Sequence, residues 1–291
     1  MNEVKVQRNY KDSFFRMLFK DKENLLSLYN ALNKTDYTDV DGLEITTLEN
    51  AVYMNYKNDV SFVFDYELMI YEHQSTVNPN MPLRDLFYVA DILQKKTYDK
   101  DLYGSRLIKL PSPRFVVFYN GTTVQPERKV FKLSDSYEKK QDKPELELTV
   151  TMYNINYGCD EEIMDACRTI KEYAMYVERI RMYTKQMPLT QAVEKAVAEC
   201  IEEGILSEFL KENQAEAIKV SIYEYNEELH FKTLREEGRE EGLELGEHRL
   251  NQLYSILIDT DRLDDLKRAT EDKAFRELLM SELLPEELQN V

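Results

Sequence analysis

Cysteine, glycine and proline are all scarce in this 291-residue chain, and each scarcity removes a class of protein. Three cysteines, Cys159, Cys167 and Cys200, are odd in number and form no C-x-x-C pair, which excludes a disulfide framework and predicts reduced thiols. Eight glycines and eight prolines leave no room for collagen-like, linker-like or low-complexity stretches. Long apolar runs are missing too: none approaches the ~20 residues needed to cross a bilayer, and the opening MNEVKVQRNYKDS has no apolar signal core. These absences predict no membrane association and a cytoplasmic location.

What is present is acid. With 38 Lys and Arg against 55 Asp and Glu the formal charge is −17, and 43% of residues are hydrophobic, enough for one large domain or two smaller ones. The acid is unevenly spread. Residues 1–157 carry 21 Lys and Arg against 23 Asp and Glu, a net of −2, whereas residues 158–291 carry 17 against 32, a net of −15. The second half repels phosphate; the first is neutral enough to hold a local basic groove.

Hydrophobic spacing divides the chain at the same place. From Asp12 to Leu32, Phe14, Leu18, Leu25, Leu28, Tyr29 and Leu32 recur at helical intervals with a break near Asp21, predicting two short helices or one kinked one. NYKNDVSFVF and ELMIYEHQ, separated by Asp65-Tyr66, are rich in Val, Phe, Ile and Tyr and predict a β-hairpin. From Pro82, the apolar residues Leu83, Leu86, Phe87, Ala90 and Leu93 predict a helix with that stripe inward. RFVVFY at 114–119, closed by Asn120-Gly121, and the alternating 145–154 segment predict two more strands. After Tyr157 the pattern is helical, from Ile163, Ala166, Ile170, Tyr173, Val177 and Ile180 onward to a cap at Gly204. The expectation is an α/β domain over 1–157 and an acidic helical domain over 158–291, with Gly238, Gly242 and Gly246 in a helical connector near 235–248 that serves close helix approach, self-association or a hinge.

The hairpin carries the chemistry. If Asp65-Tyr66 is a two-residue loop, opposed positions sum to 131, so Asp59 faces Glu72 at the open end with Gln74 opposite Lys57 just beyond. Opposed like charges repel, and a divalent cation removes the objection: paired carboxylates beside a wet edge suit Mg²⁺ or Mn²⁺. Neutralisation of a surface pair by Lys57 and Arg84 satisfies the same arithmetic, and pairing alone leaves both readings standing. The three histidines, His73, His230 and His248, have no ligand-spaced partners.

DSFFRMLF, NDVSFVF, the E-x-Q of LMIYEHQ, NMPLRDLFYVADIL, PRFVVFYNG and the later AVEKAVAECIEEGILSEFLKENQAEAIKVSIYEYNEELH, in that order, resemble the Rpn family of recombination-promoting nucleases, a family also labelled as transposases. The resemblance spans roughly residues 10–250. It implies a PD-(D/E)XK restriction-endonuclease-like mixed sheet flanked by helices, acting on DNA as a Mg²⁺-dependent endonuclease in recombination or mobile-element biology. Asp59 then matches the motif's first acid and Glu72 its second, while Gln74 stands where the wider superfamily has lysine. A glutamine orients water but brings no charge; Lys57, opposite it, either supplies that charge or is an ordinary strand-end lysine. Arg84 and Tyr88, one helical turn apart, match the same stretch and are candidate phosphate contacts or, equally, structural partners for the acids; Asp12 matches an acid in the family's first helix and equally suits a helix cap. The alternative is a catalytically silent relative acting as a protein-interaction or nucleic-acid-binding regulatory module.

Overall fold

The computed structural model describes residues 13–46 and 59–284. Asp12 and Lys57 lie outside the described residues. Two short helices open the chain, α1 (Phe14–Leu18) and α2 (Lys22–Asn33); Asp21 caps the second by accepting from the Asn24 N–H, which is why the pattern breaks there. A six-stranded sheet follows: β1 (Glu44–Ile45), β2 (Val60–Phe64), β3 (Glu67–Gln74), β4 (Ser112–Tyr119), β5 (Arg128–Lys132) and β6 (Thr149–Asn154), in the spatial order β1-β2-β3-β4-β6-β5. β1, β2 and β3 are antiparallel; β4 lies parallel to β3 and to β6. The parallel step is made through helix α3 (Met81–Lys96). Neither β1 nor β5 is foreseen in the sequence: β1 has two residues, and RKVFK of β5 is mostly cationic, as suits an edge strand.

The hairpin register is as the arithmetic requires. Val60 pairs with Tyr71 and Phe64 with Glu67, and Asp65 and Tyr66 both have positive φ, 45° and 62°, the geometry of the tight turn that matches strand twist. Both faces of the sheet are covered. Val60, Phe62, Phe64, Met69, Tyr71, Val116 and Phe118 face the larger core with α1, α2 and the later helices; Leu68, Ile70, Phe115, Val117 and Tyr119 face α3. Each large side chain so buried contributes roughly 1.5–3 kcal/mol. At the end of β4, Gly121 is required by space: a Cβ there would sit 1.8 Å from the Ser75 carbonyl oxygen. Gly121→Ala is therefore expected to cost about 2 kcal/mol or more in urea unfolding, since backbone must move to admit the methyl.

Helix α3 corrects the sequence reading. The helix is where the pattern places it, but its buried face is Met81, Asp85, Tyr88, Val89 and Ile92, while Leu83 and Phe87 remain 40% and 39% exposed. Leu86 and Leu93 of the expected stripe do pack against the core, but the helix is turned so that Arg84 and Tyr88 come to the strand carrying Glu72; the Arg84 guanidinium reaches both the Glu72 carboxylate and the Tyr88 hydroxyl.

The later helices are α4 (Glu161–Ala166), α5 (Arg168–Thr184), α6 (Leu189–Glu203), α7 (Ser207–Glu212), α8 (Gln214–Asp259), α9 (Leu263–Glu271) and α10 (Lys273–Leu283). Gly204 ends α6 in the left-handed conformation, φ 80°. The chain forms two compact units, residues 1–225 and 226–291, so the division falls well past the expected boundary at 157/158. The reason is packing: Ile170, Tyr173, Val177, Ala196, Leu206, Leu210 and Val220 share one core with Phe14, Phe15 and Phe62. The second unit has its own small core of Leu253, Leu257, Ala269 and Leu279. Gly238, Gly242 and Gly246 lie in α8, and among the described residues a Cβ at any of them would meet nothing within 4 Å, so no close approach within the chain accounts for the glycines. Among the described residues no helix is long and apolar enough to cross a membrane.

Candidate active site at the open end of the hairpin

The β2–β3 register extends by one step to set Asp59 against Glu72, and alternation puts both on the face toward α3. The extra step is visible in the bonding. Asp59 Oδ2 accepts the backbone N–H of His73 at 2.7 Å, tying the residue before β2 to the strand that carries Glu72. Glu72 is buried at 4% exposure; its Oε2 lies 3.4 Å from the Arg84 guanidinium and its Oε1 is buried with no hydrogen-bond partner.

Neither carboxylate is comfortable as an anion. Burial pushes Glu72 well above the usual carboxylate range, and the negative charge of Asp59 pushes it further, against the opposing pull of Arg84. Burial also raises Asp59, offset by the His73 N–H and by Arg16 and Arg84. A third acid, Asp85, stands on the buried face of α3 at 1% exposure; burial raises it to about 7, and its Oδ1 also lacks a partner. Asp85 adds to the negative field at Glu72. It went unnoticed in the sequence because it interrupts an apolar face, though an Asp at the i position of a buried i, i+3, i+4, i+7 stripe is itself the signal.

Arg84 and Tyr88 are brought to the acids as their helical spacing requires. The Arg84 guanidinium donates to the Tyr88 hydroxyl at 2.8 Å and lies over its ring. Gln74 is half-buried on the same strand face as Glu72, and its amide nitrogen donates to Met81 Sδ at 2.7 Å. His73, on the other face, is a support. Its ring stacks on Phe15 with centroids 5.0 Å apart and its Nε2 lies 2.9 Å from the Tyr173 hydroxyl, which also accepts from the Asn120 amide. Burial and the nearby Arg181 lower the His73 imidazole to about 3, while its backbone N–H donates to Asp59. Through Tyr173, helix α5 braces the site from behind.

A half-buried carboxylate, Asp59, beside a buried one, Glu72, whose Oε1 has no hydrogen-bond partner, fits a hard divalent ion in that respect. Among the described residues no group of three or more His, Cys, Asp or Glu side chains gathers to hold a metal, and Asp59 and Glu72 are two carboxylates only. An open groove of about 760 Å³ lies elsewhere, beside α2, α5 and α7; Asp21, Glu23, Glu172, Glu208, Glu212 and Glu216 line it and would repel phosphate.

Compared with family models, with curated proteins and with solved structures, the chain matches none.

Proposed function

We propose that this protein is a Mg²⁺- or Mn²⁺-dependent DNA endonuclease with a PD-(D/E)XK-like core in which Gln74 replaces the lysine. One observation carries the reading: Asp59 and Glu72 face each other at the open end of a buried hairpin, where Glu72 Oε1 has no partner and like charge would otherwise only cost stability. Asp59 and Glu72 would hold the cation, which supplies Lewis-acid activation of water and neutralises charge on a phosphodiester. Arg84, 30% exposed at its side chain, would take a non-bridging phosphate oxygen and partly offsets the upward push on the Glu72 carboxyl. Tyr88 fixes the guanidinium. Gln74 orients water without adding charge. DNA is the substrate and the association with recombination or mobile elements follows the family likeness.

The test is plasmid nicking with and without Mg²⁺ or Mn²⁺, comparing the native chain with Asp59→Ala. Metal-dependent nicking lost in the variant is the expected result. Gln74→Ala is expected to lower the cleavage rate by about 10-fold through loss of the water-orienting amide, with Gln74→Lys folding normally; an unchanged rate in Gln74→Ala removes the residue from the mechanism.

A second reading has one observation in its favour. The Gln74 amide is engaged by Met81 rather than poised over the acids, and no lysine is described beside them, as in a relative that keeps the fold and binds nucleic acid or protein without cutting. DNA binding without nicking in either metal would establish it. Self-association through the C-terminal helices belongs to that reading and is tested by sedimentation.

A further inference from the structure

The segment joining α3 to β4 runs against the acidity of the chain. In a protein of net charge −17, residues 97–111 hold three cations, Lys100, Arg106 and Lys109, against two acids, Asp99 and Asp101; the flanking Lys95, Lys96 and Arg114 pair with Asp91, Glu44 and Glu67. The loop residues also display large side chains to solvent: Tyr103 is fully exposed, Tyr98 92%, Leu107 85% and Leu102 65%. A loop of polar residues would cost less to hydrate, so this exposure calls for a partner. The display is built in. Asp101 Oδ1 accepts the Tyr103 N–H at 3.0 Å, the Lys100 N–H donates to the Thr97 carbonyl at 2.9 Å, and a Cβ at Gly104 would lie 2.7 Å from the Asp101 carboxylate. The acids are accounted for inside the loop, Asp99 by Lys100 and Asp101 by that backbone N–H, while Arg106 and Lys109 form no ion pair among the described residues.

We infer that the 97–111 loop is a second nucleic-acid contact that grips an unpaired strand, with Tyr98 and Tyr103 stacking on bases and Arg106 and Lys109 on phosphates. Interleaved aromatics and cations are what sequence-independent binding of a single strand requires, since every base offers a π-face and every nucleotide one charge. The choice of nucleic acid over another polyanion rests on the proposed nuclease reading, and the loop's position is consistent with it. Arg84 stands near the start of α3 and Lys96 at its end; that stretch of helix is about 18 Å long at 1.5 Å per residue, so a strand running alongside reaches the loop about three nucleotides from the hairpin acids if extended and about five if stacked as in a duplex. Substrate with an unpaired flank of that length is thereby favoured over blunt duplex.

Fluorescence anisotropy in EDTA, which leaves out any metal-dependent step, tests this with a labelled 20-nucleotide single strand and a blunt 20-base-pair duplex at several salt concentrations. Tyr98→Ala/Tyr103→Ala is expected to weaken single-strand binding at least 10-fold and duplex binding little. Arg106→Ala/Lys109→Ala is expected to weaken both and to lower the slope of log affinity against log salt by about 1.4 on the single strand. All four side chains are solvent-facing, and unchanged thermal melting confirms that the variants fold. Unchanged single-strand affinity in both double variants overturns the inference. So does loss of sedimentation with phosphatidylserine vesicles, or of self-association, with DNA affinity intact, because the loop would then serve a lipid or protein partner. Asp59→Asn separates this from the nuclease reading: it removes the acids' contribution and leaves the loop's effect on binding in place. Absence of cleavage in the native chain with the loop effect intact would refute the enzyme and keep the contact.

Discussion

Asp59→Asn is expected to reduce metal-dependent plasmid cleavage by about 10³-fold or more while leaving the folded protein at least as stable as before. If the two acids hold the cation as proposed, removing one of them takes away several kcal/mol of metal-assisted transition-state stabilisation. In the absence of metal the same change removes a half-buried like charge from beside Glu72, whose carboxyl the Asp59 charge already drives upward. Glu72→Gln should behave alike, with the stability gain larger because Glu72 is the more buried. Thermal melting with Mn²⁺ gives an independent reading: a ligand at 100 times its dissociation constant stabilises the native protein by about 2.7 kcal/mol, and that increment should vanish in both variants. Cleavage retained in Asp59→Asn, or an undiminished Mn²⁺ shift, would move the site elsewhere.

The second large effect belongs to Asp85 and concerns pH. Its carboxyl titrates near 7 in the folded chain and near 3.9 when unfolded, so the folded state holds a proton that the unfolded state gives up between those values. Stability from this group is fully present below about pH 4 and is lost as pH rises through about 7, by an amount of the order of 4 kcal/mol. Metal-free protein should accordingly be more resistant to urea at pH 5 than at pH 8. Asp85→Asn keeps the shape and removes the charge, and is expected to stabilise the protein by about 2 kcal/mol at pH 8 and by little at pH 4. A difference between variant and native that does not change with pH would show that Asp85 keeps its ordinary titration in the fold.

What could be read from the sequence, and what could not, divides on physical lines. The β2–β3 hairpin was legible because its turn and its two alternating strands are local and constrain each other: once Asp65-Tyr66 is the loop, every pairing follows, and Asp59 has only one partner to face. The existence of α3 was equally plain. Its rotation was not, because both sides of that helix carry apolar residues, and Leu83 with Phe87 competes with Val89 and Ile92 on hydrophobicity alone. The Arg84 contacts with Glu72 and Tyr88 go with the inward face the helix adopts, and those contacts join residues whose spatial relation depends on the completed sheet. The domain boundary failed for a related reason. Composition changes near Gly158, but burial of Tyr173, Ile180 and Leu210 against Phe14 and the sheet is a long-range fact that charge counting does not register. Removal of the chain from Gly204 onward would open this core, whereas a cut after Tyr225 respects the two units. Tyr173 also reaches His73, so the helical half supports the acids instead of standing apart.

The tight turn at Asp65-Tyr66 sets what kinds of change the segment tolerates. Side chains alternate with a period of two, so inserting or deleting a single residue between Val60 and Tyr71 without a compensating bulge would send one of the two acids to the opposite face of the sheet. Substitutions among Phe62, Val63, Leu68 and Met69 only alter packing and can be repaired by neighbours. Chain length in this stretch is therefore held more strictly than residue identity. The 97–111 loop is under the reverse constraint, since its ends are fixed by α3 and β4 while added residues at its tip would cost only the slow, logarithmic entropy of a longer closure. Diversity among proteins built this way should appear as length changes after the helix and as substitutions alone within the hairpin.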